Sequence, residues 1–286
     1  MRFAYPLQKT QDWLTQQWVI FRGQKIKTDD FPWLIGPFGL LDSIGKEFIE
    51  KFARSENLII DYHTSSQGLI PSMNALNLSE TEFSRLSKSV ISFYENTADY
   101  DLDFSVKWNS FFKVFGRLVN RLFSVRINQL NIPTENISDS ESLESQIITL
   151  TDPGTKEIKY TIWFRSIKSS GKVVYSGIYG VCTLPSGKTC VKAVFPLPNG
   201  NATVIMTPTV GQNGELILDS SGKNFGDAGF YFLLKDSKGE YWSQFIKSFR
   251  DKLIIGENDH GISAEQTLTL WNKMVLRFKY KITLKT

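Results

Sequence analysis

The spacing of apolar residues changes near residue 140, and this change restricts the chain to folds that join a helical part to a large sheet. Upstream, apolar positions mostly recur at helical spacing. Downstream they alternate, with a turn signal roughly every eight to twelve residues.

The alternating half predicts strands over Gln146 to Leu150, Ile158 to Ile167, Lys172 to Thr183, Thr189 to Phe195, Ala202 to Thr207, Glu215 to Leu218, Gly229 to Lys235, Ile262 to Leu270 and Met274 to Leu284. Asp152-Pro-Gly154, Ser186-Gly187, Asn199-Gly200 and Gln212-Asn-Gly214 supply residues that tolerate positive backbone angles between them. Short strands joined by turns pair antiparallel, whereas a parallel sheet needs helical crossovers. One interruption, Tyr241, Trp242, Phe245, Ile246, Phe249 and Leu253, falls at helical spacing and predicts a helix.

The upstream half predicts helices around Leu14, Trp18 and Phe21 and around Ile44, Phe48, Ile49 and Phe52. Between them, Phe31 to Leu41 has too many prolines and glycines for regular structure and is expected to cover the core. Ser79 with Glu82 three residues on makes a capping box, flanked by Leu78 and Phe83, so a helix is expected from Ser79 to Asn96. Tyr100 to Trp108 alternates as a strand with Asp99, Asp101 and Asp103 on one face. Phe104 and Ser110 stand where a calcium loop needs glycine and glutamate, so that face reads as solvated. Phe111 to Arg126 returns to helical spacing, with Phe111, Phe115, Leu118, Leu122 and Val125 as an expected packing stripe. Lys113, Arg117 and Arg121 form a basic face that would allow peripheral contact with an anionic membrane. The polar run Thr134 to Glu144 reads as the interior linker.

The expected fold class is α+β: a large antiparallel curved sheet or partly closed barrel from residues 136–286, packed by the N-terminal helical segment 1–135, as one compact unit. The order helix, strand, helix, then successive antiparallel strands resembles helix-grip lipid-binding proteins. Those proteins end in a long helix where this chain ends in a strand pattern.

With 286 residues, 41% of them hydrophobic and 13% aromatic, the chain can bury a large core. Its net charge of +4 comes from 33 basic and 29 acidic residues scattered along the sequence, so no nucleic-acid partner is implied. Gln8, Lys9, Gln11 and Asp12 interrupt any leader, and Phe31 to Leu41 is about half the length of a transmembrane segment. A cytoplasmic protein is therefore expected. Cys182 and Cys190 flank a hairpin turn and are expected to be free, buried thiols.

Chemical motifs are mostly excluded. Gly187-Lys-Thr189 lacks the leading glycine of a phosphate loop, G-x-G-x-x-G and H-E-x-x-H do not occur, and no cofactor or metal is implied. The reading leans away from an enzyme. The catalytic candidates are the two histidines, His63 and His260, and Asp227 within Gly226-Asp-Ala-Gly229. A carboxylate mechanism assisted by tyrosine or histidine is one alternative, and a structural or membrane-surface module is another. The leading expectation is a cavity between sheet and helices for an apolar or amphipathic, lipid-like small molecule. Its proposed lining is Tyr175, Gly177 and Tyr179 on one strand face, with Trp163 and Arg165 on the adjoining strand.

Overall fold

The computed structural model describes residues 3–4, 9–40, 45–63, 65–119, 131–133, 136–259 and 261–285. In chain order the first elements are α1 (Thr10–Arg22), β1 (Gln24–Ile26), α2 (Lys46–Ser55), β2 (Ile59–His63), α3 (Glu80–Arg85), α4 (Lys88–Glu95), β3 (Tyr100–Trp108) and α5 (Ser110–Val119). Strands then follow without helical interruption among the described residues. They are β4 (Ile137–Thr151), β5 (Ile158–Ile167), β6 (Val173–Thr183), β7 (Thr189–Leu197), β8 (Gly200–Val210), β9 (Leu216–Asp219), β10 (Gly229–Lys235), β11 (Tyr241–Phe245), β12 (Phe249–Asn258), β13 (Gly261–Leu270) and β14 (Lys273–Leu284).

Ten of these strands close into an antiparallel barrel. The ring runs β3-β4-β5-β6-β7-β8-β9-β12-β13-β14, and β14 returns to β3 with Leu276 opposite Trp108. β8 makes the closure possible by changing partner along its length. Its first part, Gly200 to Ile205, pairs with β10, and its last part, Thr207 to Val210, pairs with β9. The branch β10-β11-β1 then leaves the ring. The protein is mostly β, and the barrel is fully closed.

Alternation decides which side chains fill the barrel. On β14, Leu276, Phe278, Tyr280 and Ile282 point inward, while Arg277, Lys279 and Lys281 alternate with them on the outside. A membrane-spanning barrel has the reverse polarity, apolar outside and polar inside. β5 is buried on both faces: Trp163, Arg165 and Ile167 face the interior, and Ile162 and Phe164 join α2 residues Phe48, Ile49 and Ala53 in an outer cluster.

One end of the barrel is plugged from within by the segment around α4. Leu69, Ile70, Met73, Val90 and Phe93 belong to the same buried cluster as the inward strand residues. Each such side chain contributes about 1.5–3 kcal/mol by leaving water.

The expected layer of N-terminal helices packed on one sheet face does not organise the fold. α1 lies against β11 and β10, α2 against β2, and α4 reaches β12. Several local expectations also change. The capping box at Ser79 forms, with the Ser79 Oγ accepting from the Glu82 amide and Glu82 returning to Ser79. The helix nevertheless breaks after Arg85, because Leu86 turns extended and the Ser87 amide donates to the Gly214 carbonyl at 3.0 Å. Tyr241 to Leu253 is not a helix but β11, a turn and the start of β12, since β10 and β13 offer ladder partners to a segment rich in aromatic residues. The polar run Thr134 to Glu144, expected as a linker, is mostly β4, paired with β3 and β5.

The apolar stripes assigned to core packing on two helices face outward. Leu14, Trp18 and Phe21 of α1 are exposed while Val19 and Ile20 are buried; on α5, Phe111 and Leu118 are exposed and Phe112 is buried. Leu122, Val125 and Arg121 lie outside the described residues. The 31–40 segment covers the outer face of β8 and β10, with Trp33 stacked edge-on against Tyr231 at 5.4 Å.

Gly68 packs against the C-terminal end of α4 within the plug. A Cβ there would stand 2.2 Å from the Tyr94 carbonyl and 2.4 Å from the Glu95 carbonyl carbon, both rigid backbone. Gly68→Ala is expected to destabilise the protein by about 1–3 kcal/mol, as overpacking does. Urea denaturation monitored by tryptophan fluorescence measures this, and an unchanged midpoint would contradict the plug.

Candidate functional site

The barrel encloses a cavity of about 70 Å³ between the plug and the strands. Its wall is mostly apolar, but five strands turn polar side chains toward it, with Tyr280 coming from β14. Arg165 comes from β5, Tyr179 from β6, Asp251 from β12 and Gln266 from β13.

Arg165 is buried. Its guanidinium lies 3.8 Å from the centre of the Trp163 ring and 4.6 Å from that of Tyr175, and one terminal nitrogen donates to the Tyr179 hydroxyl at 3.0 Å. Trp163, Arg165 and Tyr175 meet because they share the inward phase, with Arg165 opposite Tyr175 and Trp163 opposite Gly177 in the ladder. Among the described residues no carboxylate approaches Arg165 within ion-pair distance, and its Nε has no hydrogen-bond partner. Stacking on two aromatic faces contributes about 2 kcal/mol when desolvated, less than the several kcal/mol that burial of an unpaired ion costs.

Asp251 also lines the cavity. One carboxylate oxygen accepts from Gln266 Nε2 at 2.7 Å, the other has no partner, and the Tyr280 hydroxyl donates to Gln266 Oε1 at 3.3 Å. Burial pushes the Asp251 carboxyl up to about 7, opposed by the Gln266 hydrogen bond and reinforced by Asp219. Burial likewise raises the phenols of Tyr94, Tyr175, Tyr179 and Tyr280 above their ordinary value, so all four remain neutral donors.

Trp163, Arg165, Tyr175 and Tyr179 therefore line one cavity. Gly177 is placed among them, but a Cβ there would meet Phe195 at 2.8 Å and Tyr179 at 2.9 Å, so the absent side chain makes room for those rings. The catalytic candidates are not brought to this place. His63 sits on the edge strand β2 and bonds Thr149 Oγ1 at 2.7 Å. Asp227 caps its own loop by accepting from the Lys223 and Asn224 amides. His260 lies outside the described residues. Among those residues no three His, Cys, Asp or Glu side chains gather as a metal site.

Cys182 and Cys190 face each other across β6 and β7 as free, buried thiols. Burial pushes the Cys182 thiol up to about 12 and raises that of Cys190.

Comparison with known proteins adds one relative. The chain is 24% identical over 242 residues to a protein of Bacillus subtilis (strain 168) named "Uncharacterized membrane protein YndJ". The match takes in 84% of this chain but only 41% of that relative's length. No family model matches the chain, and no solved structure does. The expected cytoplasmic location is overturned by this relative, which is named a membrane protein. Among the described residues no helix is long and apolar enough to cross a membrane, a statement that does not bear on strands.

Asp251, Gln266 and Tyr280 were missed as site residues. The signal for Asp251 was present once the segment is written as a strand: Phe249, Asp251, Leu253 and Ile255 share a phase, with one acid in an apolar run.

Because the folded-state value of Asp251 lies above the ordinary carboxylate value, the folded chain keeps this proton where the unfolded chain has lost it. Its stabilising contribution is full below about pH 4, declines toward pH 7 and is lost above that. Asp251→Asn keeps an acceptor for Gln266 and is expected to remove this decline, exceeding the wild type by up to about 4 kcal/mol at pH 8. Urea denaturation across this pH range measures it; parallel pH profiles for the two proteins would contradict the buried carboxyl.

Proposed function

We propose that the barrel is a binding protein for a compact organic anion, held beside Arg165 with its apolar part against the rings of Trp163 and Tyr175. The observation that carries this reading is the buried guanidinium with no carboxylate partner among the described residues. A ligand carboxylate supplies the missing charge and two acceptor oxygens, in the planar geometry that arginine fits best. The cavity of about 70 Å³ supports a short acid in place of the long, lipid-like molecule that the sequence suggested. Asp251 faces the same space, and near neutral pH its partial protonation limits repulsion of the anion.

A carboxylate enzyme is the second reading, favoured by the buried Asp251 carboxyl on the cavity wall, whose one oxygen has no partner and which burial pushes up to about 7. Against it, the carboxylate of Asp251 bonds Gln266, and among the described residues no nucleophile or histidine lines the cavity beside it.

The test compares short carboxylates, from acetate to hexanoate, with alcohols of the same length, read by melting shift and tryptophan fluorescence. Acids are expected to bind and alcohols not to. Arg165→Met replaces the ion by an apolar chain of similar length, so it is expected to leave stability equal or higher while weakening acid binding about 10- to 100-fold. Affinity is expected to fall as the pH rises through about 7, and Asp251→Asn to flatten that fall. Acids that neither shift the melting curve nor change the fluorescence, or equal binding by Arg165→Met, would overturn the reading.

A further inference from the structure

The plugged end of the barrel differs from the opposite end, where exposed apolar side chains collect. α5 leaves the end of β3, tied there by the Asn109 amide donating to the Val275 carbonyl at 2.9 Å, and exposes Phe111 (80%) and Val114 (70%). The β13–β14 hairpin tip, next to Val275 in the chain, exposes Trp271 (68%). From Trp271, whose amide donates to the Ser248 carbonyl, a chain of ring contacts runs from Phe249 to Phe230 (4.9 Å), Phe232 (5.1 Å) and Trp18 (6.4 Å). It ends on the exposed face of α1, where Phe21 is 82% exposed. Phe249, Phe230 and Phe232 are half-buried against the barrel core, so the exposed apolar side chains form two patches, one at Trp271 and α5 and one on α1. Exposed apolar patches of this kind mark interaction surfaces.

Two further observations point to what covers the Trp271 patch. The exposed Lys247 and Lys273 flank the Trp271 hairpin, so the patch there is bordered by positive charge. Trp271 itself adopts φ +50°, a left-handed conformation that bulky residues rarely take, and Asn272 follows at +61°. Asparagine or glycine would fill such a turn at lower energy, and strain retained by an exposed aromatic side chain points to use outside the fold. Tryptophan at the water interface with lysines beside it matches the head-group zone of an anionic bilayer.

We infer that this end of the barrel docks on an anionic membrane surface, with Trp271, Phe111 and Val114 entering the head-group layer. Lys247 and Lys273 then face lipid phosphates. The 24% identical relative is named a membrane protein, in keeping with such a location. The surface is separate from the Arg165 cavity, so each proposal can fail alone.

Cosedimentation with phosphatidylcholine vesicles, and with vesicles that also hold roughly one quarter phosphatidylglycerol, tests the inference. The protein is expected to sediment at least about tenfold more strongly with the anionic vesicles, and K247E/K273E to abolish that preference. F111S/V114S is expected to reduce binding about tenfold or more. W271G relieves the left-handed turn, so it is expected to weaken vesicle binding while the melting temperature stays the same or rises. Failure to sediment with either vesicle would overturn the inference, as would F111S/V114S and W271G binding like the wild type. A concentration-dependent dimer lost in F111S/V114S, without lipid binding, would assign the surface to a second copy instead.

Discussion

A four-residue strand closes the barrel. β9 bridges β8 and β12 with Val210 opposite Leu216 and Leu253 opposite Leu218, and every inward side chain owes its dry environment to that closure. Without it, β8 and β12 would be open edges and the cavity would meet water. The cost of an unpaired Arg165 and the shifted proton affinity of Asp251 both follow from exclusion of solvent. β8 accommodates the short bridge because it gives its first part to β10, and ring contact between Phe230 of β10 and Phe249 of β12 seals the seam beyond β9.

Inside the barrel, opposite charges share an apolar space without forming an ion pair. Arg165 is held by two aromatic faces and a phenol, and Asp251 by a glutamine amide. This arrangement leaves donor capacity on the arginine and acceptor capacity on the carboxyl directed into the protein. It is poor design for stability alone, since a direct pair or two apolar residues would cost less, and that imbalance is the physical basis for regarding the cavity as a site.

The outer surface repeats the theme at a larger scale. α1 and α5 each turn exposed aromatic residues outward next to basic ones, although both also bury part of another face against the barrel. α1 has no side-chain N-cap bond, so its packing of Val19 and Ile20 on Leu234 and Trp242 holds it in place. A helix anchored by one face can present the other.

Local patterning by itself determined most strands. Ile158 to Ile167 and Gly229 to Lys235 coincide with β5 and β10, and the inward phase of Trp163, Arg165, Tyr175 and Tyr179 followed from alternation alone, because side chains two residues apart must share a face. Tertiary structure decided the rest. Ring closure is set by which long-range strands meet, and no local signal told that β8 would split its partners. Competition from ladder partners turned Tyr241 to Leu253 into strands, and a carbonyl from a distant turn broke the helix after Arg85. Helical spacing marks an apolar face without saying what covers it, which is why the stripes of α1 and α5 read as core yet face outward. Asp251 joined Arg165 only through closure of the ring, since β5 and β12 are far apart in sequence and on different sides of the barrel's seam.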